Sequence, residues 1–108
     1  MIEFINLSKD KPYQVFKKSY NEAFDKKQSA IEAISISSYN PKSNEVESRF
    51  VNLKYIVSNE WIFFSNYDSA KSRSFKLHPQ ISAILYWKKT NTQVRMKAKI
   101  YKTSEEFS

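Results

Sequence analysis

Arg49-Phe50-Val51-Asn52-Leu53-Lys54 sets an arginine and a lysine at the ends of a short apolar segment. An arginine at a strand start offers a planar, bidentate donor suited to phosphate. On a straight strand the five-residue offset sends Arg49 and Lys54 to opposite faces, so they serve one ligand only if the strand bends. A second cluster follows at Ser65-Asn66 and Ser69-Ala70-Lys71. There a strand ends, a polar turn follows and a helix begins; free backbone N–H groups and the helix dipole make such a junction an anion site, and Lys71 adds a full charge. Further on, Gln93 and Arg95 lie two apart on one strand, able to reach a ring edge or a carboxylate. Each cluster also has a plainer reading: a strand with charged ends, a capped helix, the wet face of an amphipathic strand.

Other chemistries find little here. The single histidine, His78, precedes Pro79 and reads as a favourable charge at a helix end rather than a base. Without a ligand cluster or any cysteine, no metal site is expected, and one histidine so placed builds no Ser/His/Asp set.

The elements that must position these residues can be drawn from the hydrophobic pattern. Residues 12 to about 27 read as an amphipathic helix, with Pro12 in its first turn and Val15, Phe16, Tyr20, Ala23 and Phe24 at helical spacing. Strands follow at 30–38, with Ile34 and Ile36 alternating with serines, and at 47–57, with Val51, Leu53, Tyr55 and Val57 sharing one parity. Residues 61–65 form an apolar strand, and a short helix runs from Asp68 or Ser69 to His78. Two more strands span 80–87, with Ile81, Ala83, Leu85 and Trp87 on one face, and 93–103. Short strands joined by tight turns favour a largely antiparallel sheet, and closing it into a split barrel removes its edges. The fold class is therefore mainly β with flanking α-helices, a single domain over residues 1–108.

The chain has no glycine, so tight turns must draw on Asn, Asp or Ser at 40–44, 58–60 and 90–92. With 41% hydrophobic and 16% aromatic residues it is too apolar to be disordered. No apolar run approaches the ~20 residues that span a bilayer, and the opening residues lack a signal-peptide pattern, so a cytoplasmic protein with no membrane partner is expected. A net charge of +7 favours anionic partners, with its lysines scattered rather than in runs.

Taken in order, these segments resemble the pyridoxamine 5'-phosphate oxidase family. Arg49–Lys54 is similar to its R-x-V-L-L-K strand, and Phe63-Phe64-Ser65-Asn66-Tyr67-Asp68-Ser69-Ala70-Lys71 to its F-Y-T-N-Y-x-S-R-K element. His78-Pro79 and Ile81–Trp87 are similar to N-P-x-A-A-L-x-F-Y-W, and Gln93-Val94-Arg95 to R-Q-V-R. The resemblance covers roughly residues 13–108. It implies an FMN-binding split barrel, a homodimer with FMN in the subunit interface. On these positions Arg49 and Lys71 would bind the FMN phosphate, and Val51, Asn52, Leu53 and Lys54 would line the isoalloxazine ring. Phe64 and Ser65 would stand at the family's Tyr-Thr pair, Gln93 would reach the flavin from the partner strand, and Lys54 would also approach a phosphorylated B6 vitamer.

Departures from the pattern carry information too. Ala70 stands where the family has a phosphate-binding arginine, a loss of about 1.5–3 kcal/mol for one charge-assisted bond. Asn52 replaces an apolar residue beside the flavin. The family's later tyrosine, arginine and serine for the substrate phosphate, its late tryptophan and its Arg-x-His motif have no counterpart in these 108 residues. The reading is an FMN-dependent oxidoreductase acting on pyridoxamine or pyridoxine 5'-phosphate with oxygen as acceptor. The alternatives are a truncated relative that binds FMN, or merely dimerises, without turnover, and, ranked lower, a basic nucleic-acid-binding barrel.

Overall fold

In a computed structural model of the protein, residues 1–63 and 78–100 are described. The chain runs through β1 (Glu3–Ile5), α1 (Lys11–Asp25), β2 (Ala33–Asn40), β3 (Glu45–Val57), β4 (Glu60–Phe63), β5 (Gln80–Trp87), a short 3-10 helix (Lys88–Thr90) and β6 (Thr92–Lys99). The short helix expected between Asp68 and His78 lies outside the described residues.

β3 belongs to two sheets. Its first part pairs antiparallel with β2, which continues through β5 to β6; its last part pairs with β4 and with β1. The change of partners coincides with a register shift against β4: Leu53 faces Phe63, but Tyr55 already faces Ile62, so Lys54 is an extra residue. A β-bulge of this kind bends a strand and lets it turn a corner between sheets. It also corrects the single parity expected along β3. Ahead of the bulge Arg49, Val51 and Leu53 point inward; past it Ile56 is the buried residue, and Tyr55 and Val57 are only half-buried. The architecture is the expected split barrel, with one parallel pair, β1 on β3, that the sequence pattern did not disclose.

The core is formed where α1 lies on the inner sheet face. Pro12 opens the helix and Asp10 accepts its first backbone bonds from Tyr13 and Gln14. Phe16, Tyr20 and Ala23 are buried, whereas Val15 and Phe24 are exposed: the apolar stripe is narrower than the sequence spacing indicated. Phe16 and Tyr20 pack on Trp87 with centroids 5.4 and 6.0 Å away, and Phe16 meets Trp61 at 4.6 Å. Trp87 is 1% exposed and donates its indole N–H to the Ile31 carbonyl at 2.9 Å. Ile34, Ile36, Ile81, Ala83 and Leu85 complete the buried face, as their alternation predicts.

Candidate functional site

The cations of β3 are placed differently by the pleat and the bulge. Arg49 stands on the inner face, directly opposite Ile36, and is half-buried. Burial holds its guanidinium below the ordinary arginine value, while Glu47, two residues earlier on the same face, acts to raise it. It stays charged at any physiological pH, so a partly desolvated cation is kept in the β2-paired part of β3. Val51 and Leu53 follow it inward, Leu53 donating its backbone N–H to the Glu32 carbonyl at 2.9 Å. Lys54 sits at the bulge and is exposed, at the bend that a shared ligand for Arg49 and Lys54 requires.

Asn52 points the other way. It belongs to the outer face of the β3-β2-β5-β6 sheet, as do Gln93 and Arg95. Cross-strand register lays this face out in rows. Phe50, Ser35, Ile84 and Arg95 form one; Ser48, Ser37, Ser82 and Lys97 form the next, with the Ser37 and Ser48 hydroxyls 2.6 Å apart. Tyr86 lies opposite Gln93, and Gln80 opposite Lys99. Phe50 is 76% exposed and Tyr86 55%, the latter tied at its tip to Asn91 Oδ1 at 3.1 Å. Among the described residues no Asp or Glu points from this face, whereas Arg95, Lys97 and Lys99 do. The exposed rings of Phe50 and Tyr86 escaped sequence reasoning, which weighed each strand alone; their alternation with buried neighbours was the available signal.

The expected site residues thus fall into three groups. Arg49, Val51 and Leu53 are inside; Asn52 and Gln93 are outside, with Lys54 at the corner. Phe64, Ser65 and Lys71, with Ala70, lie outside the described residues. β3 and β6 are separated by two strands, hence about 14 Å at the usual spacing, and Gln93 is not brought to Asn52 within one chain. What the outer face and the corner can do is hold a flat, anionic compound: they offer cations, amides and exposed rings, and no described carboxylate repels the charge.

No family model matches the sequence. Curated relatives do. The chain is 35% identical over 66 residues to the pyridoxine/pyridoxamine 5'-phosphate oxidase of Rhodopirellula baltica, covering 61% of this chain and 30% of that protein. It is 29% identical over 97 residues to the enzyme of that name from Paraburkholderia xenovorans, covering 90% and 45%. Among solved structures, PhzG from Burkholderia lata in complex with tetrahydrophenazine-1-carboxylic acid superposes with a TM-score of 0.76 at 20% identity, over 82% of this chain and 43% of that one. A pyridoxamine 5'-phosphate oxidase-related, FMN-binding protein from Nostoc punctiforme gives 0.69 at 16% identity, over 78% and 45%. The chain spans less than half the length of each of these proteins. Over the part it spans, the chain is similar in sequence to pyridoxine/pyridoxamine 5'-phosphate oxidases and shares the split-barrel fold of these two structures.

Proposed function

We propose that the chain binds FMN at the β3 corner and serves flavin-dependent oxidation of a phosphorylated B6 vitamer. The observation that carries this is the bulge at Lys54, which bends the strand between a half-buried cation, Arg49, and an exposed one. In this reading Arg49 and Lys71 hold the phosphate, and Val51, Asn52, Leu53 and Lys54 border the ring. Phe64 and Ser65 stand at its edge, and Lys54 also faces the substrate. Because Gln93 lies two intervening strands from β3, a flavin on β3 meets Gln93 of a second copy, and the working unit is a homodimer. Bound FMN supplies the hydride acceptor; the protein binds and orients it.

Titration of the purified protein with FMN tests the reading, with flavin fluorescence and visible absorbance as readouts. Quenching that saturates is expected, and Arg49→Ala should weaken binding about tenfold to a hundredfold, the worth of one charge-assisted bond. Flavin emission unchanged by excess protein would sink the proposal. Formation of pyridoxal 5'-phosphate from pyridoxamine 5'-phosphate then separates an oxidase from a second reading, FMN binding without turnover.

A further inference from the structure

We infer that Glu47 is a specificity-determining residue of the proposed flavin site, setting how far that site prefers a phosphorylated flavin to riboflavin. The inference rests on the flavin reading of Arg49 and adds a carboxylate to it. Ahead of its bulge β3 pairs with β2 without a break from Glu45 to Asn52, so alternate residues share a side. Glu45, Glu47 and Arg49 are three such residues, and the register fixes which side they share. Arg49 lies in a row with Ile36, Ala83 and Met96; Glu47 lies in the next, with Ser38, Ile81 and Ala98. Ile36, Ser38, Ile81 and Ala83 are buried. Glu47 therefore stands on the inner side with Arg49, opposite to the face that carries Asn52 and Gln93. Glu45, opposite Asn40, continues the line toward the start of the strand.

Two steps along a strand span about 7 Å, and the two charges act on one another. Burial, the larger effect, lowers the Arg49 guanidinium, and Glu47 works to raise it. A phosphate held by Arg49 thus sits near a full negative charge that repels it. Even at the dielectric constant of water, unit charges about 7 Å apart alter affinity about threefold. Arg49 gives a phosphate less than a lone guanidinium would, whereas riboflavin, which has no phosphate, is indifferent to both groups. The acid therefore narrows the gap between the two flavins.

Titration of the whole protein with FMN and with riboflavin, read by flavin fluorescence, tests the inference. Glu47→Gln should tighten FMN at least about threefold and leave riboflavin unchanged. Glu47→Lys, two steps of charge, should tighten FMN about tenfold. Glu45→Gln should do little, because Glu45 lies about 13 Å from Arg49, beyond the Debye length of about 10 Å at 0.1 M salt. The gains should fade near 1 M salt, where that length is about 3 Å. Both glutamates are exposed, and unaltered thermal melting certifies the variants as folded. Equal gains from Glu45→Gln and Glu47→Gln would reduce the effect to net charge and overturn the inference. An equal gain for riboflavin overturns it too. Weaker FMN binding by Glu47→Gln does the same, by making the carboxylate a support for Arg49. FMN bound equally by wild type and Glu47→Gln overturns this inference and leaves the flavin reading standing; FMN bound by neither sinks both.

Discussion

Lys27 occupies a conformation that a side chain resists. Its φ is 59°, its N–H bonds to the Phe24 carbonyl at 2.9 Å, and the next N–H, of Gln28, reaches Ala23 at 3.0 Å. These two bonds close α1 in the manner usually given to glycine, and a residue with a Cβ carries about 1–2 kcal/mol of strain there. Lys27→Gly relieves it at some cost in unfolded-state entropy, for a net gain of about 0.5–1 kcal/mol. The melting temperature should rise by about 2–6 °C; a fall would mean that the lysine stem contributes more than its backbone costs. Trp87 has the opposite character. Trp87→Phe removes the indole hydrogen bond to the Ile31 carbonyl and leaves a void beside Phe16, so urea denaturation should show a loss of about 2–4 kcal/mol.

At the scale of elements, the bulge in β3 separates what Lys54 is from where it stands. Lys54→Ala, an exposed change, should alter stability by less than about 0.5 kcal/mol. Deleting Lys54 instead rotates Tyr55–Val57 to the opposite face and should cost more than about 3 kcal/mol or prevent folding, read by circular dichroism melts. Similar melting of both variants would show that the bulge is dispensable. This element also marks where the sequence stopped being legible. β5 was visible from Gln80 to Trp87 because its apolar residues alternate without a break, and α1 because Phe16, Tyr20 and Ala23 share a stripe. Asn44, Ser58 and Asn91 take the positive φ that a glycine-free chain must find, as their residue types foretold. The inserted residue in β3 has no composition signal, since Val51, Leu53, Tyr55 and Val57 alternate as if the strand were straight. β1 was hidden for another reason: three residues carry too little pattern, and their parallel partner is remote in sequence. Of the proposed site, the residue types were legible, but their division between two faces required the register.

For the whole molecule, the proposed flavin site is complete only with a second copy, which ties assembly to ligand. Sedimentation velocity should show the dimer fraction rising on addition of FMN, and the melting temperature should rise with protein concentration. A monomer in saturating FMN would remove Gln93 from the site. The parallel pairing of β1 with β3 has a consequence in time as well. Tyr55, the partner of Glu3, is made about 50 residues later, about 3–10 s at ordinary rates of synthesis. Ile2 donates its N–H to the Tyr20 hydroxyl of α1 at 2.9 Å, and both of these residues are made well before Tyr55. The bond between Ile2 and Tyr20 therefore needs nothing made after α1, whereas the pairing of β1 with β3 must wait for the second half of β3.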